Sequence, residues 1–323
     1  MAKSSTALFN EPEAFEATAR EVGNLRLYLT GSGPFRVRLT QVVLGAMRLS
    51  AVDESQPRIA VLTVPADTVL VTLPAGPLPG PVWGGIATRP GDMLTHSPGR
   101  RVLGWTQGRC RWIAIWIPAL EMARYGRALV GDGLTVPPGT RRWRPQSAAL
   151  KTLQGLHAAA ITTARTHPDA FAHAEATRGL NQQLIHALIE CLSDGGAVED
   201  TPALRRHQDI ALHFEELLCA EPDRIHRPES ISGAFGVSCR GLGAVCREQL
   251  GMGPGGYIRL HRMHRARCAL RCQQRDEKSV SEIARRHGFQ DVGRFARAYR
   301  DRFGELPSAT LRRGSLPCEA SHG

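Results

Sequence analysis

Arginine, histidine and cysteine are the side chains with which this 323-residue chain could do chemistry. Residues 240–313 contain 17 Lys+Arg against 7 Asp+Glu, a net of +10, whereas residues 1–200 contain 20 against 16, a net of only +4. Guanidinium groups present planar, bidentate donors that suit phosphate and guanine edges alike, so one basic segment is the footprint of nucleic-acid binding. His261, His264, Cys268 and Cys272 follow at intervals of three, four and four. On one helix they would lie near one face. A straight helix rarely encloses a tetrahedral ion without ligands from elsewhere, so no metal site is expected there. Cys239 would sit at a helix start in a basic context, where a thiol can be reactive. Gly251-Met-Gly-Pro-Gly-Gly256 satisfies the dinucleotide pattern G-x-G-x-x-G. No strand precedes it, and it reads as a turn. No nucleophile, base and acid stand in a recognisable arrangement, so no catalytic residue and no cofactor is expected. None of the eight cysteines forms a C-x-x-C pair, and their wide spacing does not resemble a disulfide framework.

The elements that must position these residues divide the chain in two. From Leu25 to about Pro118 short strands alternate with breakers, as at Gly31-Ser-Gly-Pro34, Pro74 to Pro81 and Arg89-Pro-Gly-Asp92. Phe35-Arg-Val-Arg-Leu39 alternates with period two, and further strands are expected at Ile59–Val64, Thr68–Leu73, Val82–Ala87, Arg101–Thr106 and Arg111–Ile117. After Pro145 the pattern turns helical. Leu180, Leu184, Leu188 and Leu192 recur every four residues, a stripe that packs on its own domain or forms a dimer seam. The polar, Gly- and Pro-bearing stretch 193–203 reads as a linker. The longest apolar run, Trp112 to Leu120, is far short of the roughly 20 residues that span a bilayer. With no apolar signal segment near Met1, a cytoplasmic protein without a membrane partner is expected.

Beyond the linker the chain repeats itself. Ile231-Ser-Gly-Ala-Phe-Gly236-Val237 matches Ile283-Ala-Arg-Arg-His-Gly288-Phe289, and Leu242, Arg247, Gly251 and Pro254 match Phe295, Arg300, Gly304 and Pro307. Each copy has the logic of a helix-turn-helix: an apolar and a small residue for the partner helix, a Gly for the tight turn and an apolar plug. A polar N-cap then opens the second helix, Ser238 in copy one and Asp291 in copy two. Between them, Gly255 to about Gln274 reads as one helix of about 30 Å. Successive major-groove faces on one side of B-DNA lie about 34 Å apart, so such a helix could hold two recognition helices in adjacent grooves.

In these motifs the sequence resembles the DNA-binding domain of the AraC/XylS family of bacterial transcription regulators over about residues 204–313. The resemblance is clearest in Ser279 to Phe289, Arg294 to Arg300 and Phe303-Gly-Glu-Leu-Pro307, with the connecting-helix pattern Arg-x-x-x-Ala-Arg at Arg262 to Arg267. It implies a seven-helix all-α domain, 204–316, with two helix-turn-helix units, preceded by an α+β effector-sensing and dimerising domain, 1–192. That domain would hold a cupin-like barrel at about 25–118 and appended helices at about 146–192. Gly91 to Gly99 looks like the second cupin motif, while the two histidines of the first, metal-binding motif are missing, so His96 is expected as a strand residue and not a ligand.

The implied partners are double-stranded promoter DNA, RNA polymerase, an unknown small-molecule effector and a second copy of the chain. Base readout is implied in the second helix of each copy. Arg294 and Arg297, one turn apart, can share a face of the copy-two helix. Gln290 and Arg300 are expected near its ends, against phosphate. Copy one departs from the family: Gly241 and Gly243 lie inside its helix, Ala244 stands where a long polar reader is common, and Cys246 replaces an aromatic core residue. With Ser238, Arg240 and Arg247 it is expected to contact mainly backbone. Trp83, Trp105, Trp112 and Trp116 are candidates for an apolar effector pocket, although strand alternation assigns at least two of them to the core. A nonspecific architectural DNA binder, or a DNA-repair or cupin-type enzyme fused to a DNA-binding domain, would share the basic segment.

Overall fold

The computed structural model describes residues 3–131, 134, 136–194, 197–198, 201–221, 224, 226–272 and 279–314. Parts of the expected linker, the last two residues of the expected connecting helix, Cys318 and residues 315–316 lie outside them. The chain forms two compact units: residues 1–27 with 35–208, and residues 28–34 with everything from Asp209 on.

In chain order the first 200 residues give β1 (Lys3–Phe9), α1 (Pro12–Ala19), β2 (Asn24–Leu29), β3 (Val37–Leu44), β4 (Met47–Glu54), β5 (Arg58–Thr63) and β6 (Thr68–Pro74). Then come β7 (Val82–Trp83), β8 (Ile86–Ala87), β9 (Met93–His96), β10 (Arg101–Trp105), β11 (Cys110–Pro118), α2 (Ala119–Val130), β12 (Thr140–Trp143), α3 (Ser147–Thr166), α4 (Ala174–Asp194) and β13 (Ala197–Val198). The strands lie in two sheets, with orders β1-β3-β4-β11-β6-β9-β12-β13 and β2-β5-β10-β7-β8, and neither order closes on itself among the described residues. The pairs β1–β3, β3–β4, β4–β11, β11–β6, β6–β9, β9–β12, β12–β13, β5–β10, β10–β7 and β7–β8 are antiparallel; β3 and β4 meet in register from Val37↔Glu54 to Leu44↔Met47. Each expected strand is present with its ends shifted by a few residues, except that Val82–Ala87 is a hairpin of two short strands, β7 and β8. Strand β9 lies between Gly91 and Gly99, inside the stretch that resembles the second cupin motif in sequence.

The core of this unit joins Leu49, Val71 and Ile115 of the larger sheet to Leu150 and Leu153 of α3 and to Leu184, Leu188 and Leu192 of α4. The leucine stripe is therefore spent on its own unit: those three α4 leucines are at most 3% exposed. Each fully buried leucine is worth about 1.5–3 kcal/mol relative to an exposed one, which fastens both helices to the sheet. Buried in this way, these leucines are not available to a dimer seam.

The elements described after residue 201 are helices: α5 (Pro202–Ala220), α6 (Pro228–Ala234), α7 (Cys239–Leu250), α8 (Pro254–Cys272), α9 (Val280–Arg286), α10 (Val292–Phe303) and α11 (Pro307–Arg313). The sequence repeat is a structural one. In both copies the turn closes the same way, with Val237 N–H on Ser232 O at 3.0 Å and Phe289 N–H on Ala284 O at 2.9 Å. Gly236 and Gly288 hold φ of 61° and 73°, the left-handed conformation that favours glycine at both turns. Gly251 and Gly304 end α7 and α10 as left-handed caps, and Pro254 and Pro307 open α8 and α11. The core of copy two is Met263, Ala266 and Leu270 of α8 with Ile283 and Ala284 of α9, the plug Phe289, and Phe295 and Tyr299 of α10.

Candidate nucleic-acid interface

Helix α10 is the best-built element of the basic segment. Asp291 caps it by accepting the Arg294 N–H at 2.9 Å. Phe295 and Tyr299, four residues apart, face inward and are at most 1% exposed. Their rings stack into a series: Phe289 to Phe295 at 4.9 Å, Phe295 to Tyr299 at 5.7 Å and Tyr299 to Phe303 at 4.6 Å between centroids. With that face locked, Arg294 and Arg297 project from the other, both exposed and about 60° apart round the helix. Arg300 is exposed about 120° from Arg294, at the last turn. Gln290 is exposed just before the cap. Arg294 also pairs with Asp291 at 3.3 Å, but with side chains 87% and 56% exposed that pairing is weak and easily exchanged for another anion.

Helix α7 offers less. Ser238 is exposed, and its hydroxyl accepts the Gly241 N–H at 3.0 Å as the helix cap. Superimposing the repeat by its matched residues puts Gly241 and Ala244 where copy two has Arg294 and Arg297. Both long side chains are thus missing from the corresponding positions. Arg240 and Arg247 remain exposed. A Cβ on Gly243 would lie 3.4 Å from Arg247 Nη1, so the Arg247 guanidinium lies back over this glycine. Cys246 is fully buried at the position of Tyr299. Two interior glycines cost about 1 kcal/mol each relative to Ala.

Two arginines of the connecting helix have a role that their charge did not reveal. Arg262 donates through Nε to His287 O at 2.7 Å and through Nη2 to Gly288 O, clasping the turn of copy two. Arg267 is buried, donates to Glu305 Oε1 at 3.0 Å, and lies 4.6 Å from the Phe303 ring centroid. Both hold copy two against α8 and neither is free for DNA. Arg285 and Arg286 on α9 are exposed cations that only the charge count could have flagged. Cys239 is exposed, with its sulfur 3.2 Å from Ser232 Oγ.

The expected His/Cys row on α8 does not act as one face. His261 is buried and Cys268 exposed, while the His264 ring packs edge-on against Phe303 at 5.0 Å. Burial pushes His264 down to about 3.

The first unit contains a largely apolar pocket that opens to solvent. Trp83, Trp112 and Trp116 line it; Trp105 does not. Trp112 and Trp116, four apart on β11, share a side by strand alternation. The polar part of the wall includes Gln41, Ser50 and a buried ion pair, with Arg58 Nε on Glu54 Oε2 at 2.9 Å and Arg58 Nη2 on Glu54 Oε1 at 3.0 Å. Trp112 Nε1 donates to the same carboxylate at 2.8 Å. His96 is a buried strand residue, as expected. Its ring nitrogens lie 3.1 Å from Thr72 Oγ1 and 3.0 Å from Thr140 Oγ1, and burial pushes it down to about 3. No described helix is long and apolar enough to cross a membrane.

Comparison with known proteins bears on this arrangement. The family model described as a helix-turn-helix domain matches residues 231–313, both copies of the repeat. XylDLEGF operon transcriptional activator 2 of Pseudomonas putida is 30% identical over 142 residues, covering 44% of this chain and 86% of that protein. The XylDLEGF operon transcriptional activator of the same organism is 41% identical over 76 residues, which is 24% of each chain. The solved structure of the AraC-like transcriptional activator CuxR aligns with 82% of this chain and 95% of its own at 16% identity, with a TM-score of 0.44, too low to equate the folds.

Proposed function

The chain belongs to the AraC/XylS family of transcription regulators, and on that premise we propose that it recognises one promoter sequence with both helix-turn-helix copies. Its business is DNA binding for transcriptional control, not catalysis. In this reading α10 enters a major groove and Arg294 and Arg297 read base edges, guanine O6/N7 being the natural match. Gln290 and Arg300 grip phosphate on either side. Copy one, through Ser238, Arg240 and Arg247, adds backbone contacts in the adjacent groove. The 19 residues of α8 span about 28 Å, close to the roughly 34 Å between successive groove faces. The observation that carries the proposal is the contrast between copies: two exposed arginines on one turn of α10, Gly241 and Ala244 in their places on α7.

The first unit serves as the cupin-like sensing domain. A small, largely apolar effector occupies the pocket of Trp83, Trp112 and Trp116, with the Glu54–Arg58 pair as its polar end. It acts only through its different affinities for the two states of the regulator. Dimerisation and a contact with RNA polymerase complete the proposed cycle.

Selection of binding sites from a random duplex library by the full-length chain tests the reading. The expected product is a motif with one strongly specified element and a weaker one about one helical turn, some 10 base pairs, away. Arg294→Ala should relax the strong element and Arg240→Ala should relax neither. Selection that returns no motif would leave only nonspecific DNA packaging; equal relaxation by both variants would overturn the division of labour.

A further inference from the structure

Helices α5 and α8 bring together three side chains that DNA binding does not use. Glu215 and Cys219 stand four residues apart on α5, hence on one face, and His261 meets them from α8. Cys219 Sγ lies 3.4 Å from Glu215 Oε1 and 3.7 Å from His261 Nε2, and one ligand atom from each residue lies within 4.8 Å of the other two. We propose that Glu215, Cys219 and His261 form a binding site for a zinc-like divalent cation inside the DNA-binding unit.

The geometry fits the ion. With Zn–S near 2.3 Å and Zn–N or Zn–O near 2.0–2.1 Å, the edges of a tetrahedron are about 3.3–3.6 Å, so the two short distances need almost no adjustment. The donor set, one thiolate, one imidazole and one carboxylate, is that of a borderline-soft metal and not of calcium or magnesium. The carboxylate is oriented by further groups: Tyr28, from the segment 28–34 that belongs to this unit, donates to Glu215 Oε1 at 2.7 Å, and Tyr257 donates to Oε2. Such outer hydrogen bonds are what fix a metal-binding carboxylate in place. Glu215 and His261 are buried, while Cys219 is only partly so, which leaves a side for entry and for water as a fourth ligand. Binding releases the Cys219 thiol proton and ties α5 to the helix that carries both recognition modules.

The His/Cys row on α8 includes His261, but spacing along one helix gives no metal site there without ligands from elsewhere. The fellow ligands of His261 lie 42 and 46 residues upstream, on a helix whose packing against α8 is a tertiary fact.

The test is metal analysis of the full-length chain purified without chelator, followed by titration of the stripped protein with Co²⁺ alone. One Zn²⁺ per chain is expected, as are a thiolate-to-cobalt charge-transfer band and the strong visible bands of four-coordinate cobalt. Cys219→Ser should abolish the charge-transfer band, and His261→Gln should weaken cobalt binding at least tenfold. Tyr257→Phe should weaken it about 10- to 100-fold through the loosened carboxylate. Cys268→Ser, on an exposed thiol outside the cluster, should change nothing. A wild-type chain that gives no cobalt band would overturn the site without recourse to any variant. So would a charge-transfer band that survives in a folded Cys219→Ser protein.

Discussion

Replacing Gly288 by Ala should loosen copy two far more than replacing Gly236 by Ala loosens copy one. The two glycines occupy the same place in the repeat, with φ of 73° and 61°. An L-residue in that conformation costs about 1–2 kcal/mol, and this strain is common to both variants. Around Gly236 an added Cβ would meet nothing within 4 Å. At Gly288 it would fall on the guanidinium of Arg262, which would have to leave His287 O and Gly288 O. The clasp, counted once for its single charged donor group, is worth about 1.5–3 kcal/mol, so the total at Gly288 comes to about 2.5–5 kcal/mol. Hydrogen exchange read peptide by peptide suits a chain of two units, because it reports each local opening separately. Protection in α6–α7 should fall roughly 5- to 30-fold in Gly236→Ala, and in α9–α10 roughly 60- to 4,000-fold in Gly288→Ala, at a tenfold change per 1.4 kcal/mol. Equal losses at the two sites would refute the clasp assigned to Arg262.

Arg294→Ala and Arg297→Ala should each cost about 1–3 kcal/mol at the selected site and little on scrambled duplex, as base readers do. Arg240→Ala should weaken both duplexes alike and lower the salt slope by about one, as measured by anisotropy over a salt series. Glu54→Gln leaves the buried Arg58 charge without its partner carboxylate and should destabilise the first unit by about 3–5 kcal/mol, read from urea unfolding by tryptophan fluorescence. For His96 the folded value is depressed from 6.5 to about 3, so the unfolded chain takes up the proton first on acidification. Its contribution to stability is therefore full above about pH 6.5 and falls as the pH drops toward 3, by up to about 1.4 kcal/mol per pH unit. His157, depressed to about 4, acts in the same direction. His96→Gln should remove about half of their joint slope between pH 6 and 4.5, and an unchanged slope would contradict the burial assigned to it.

The second half of the chain was readable because local chemistry and global fold coincide there. The turn glycines, the Ser238 and Asp291 caps and the pairs of one apolar and one small residue, Ile231/Ser232 and Ile283/Ala284, act within a few residues of one another, and a twofold repeat removes chance. Strands of the first unit were readable where alternation or β-branched runs were strong. Strand β1 was not: Lys-Ser-Ser-Thr-Ala-Leu-Phe is polar and mostly exposed, and it is a strand because it pairs with β3 from Lys3↔Val43 to Phe9↔Val37. Strand β12, Thr-Arg-Arg-Trp, likewise owes its form to β9. Strand β4 buries Met47, Leu49 and Val52, an apolar spacing that departs from strict alternation and so stands outside the expected strands. Three of the four candidate tryptophans share a pocket, but Trp105 shows that strand periodicity cannot say which sheet faces which cavity. Arg262 and Arg267 looked like two more positive charges, because a carbonyl or a carboxylate 25 or 38 residues away leaves no mark in the local sequence.

The most direct measurement of the central claim is fluorescence anisotropy of the full-length chain with its selected duplex and with a scrambled one, from low to physiological salt. The account predicts steep weakening with salt on both duplexes and at least about 1,000-fold tighter binding of the selected one at physiological salt. Binding that falls with salt but ranks the two duplexes equally would contradict it.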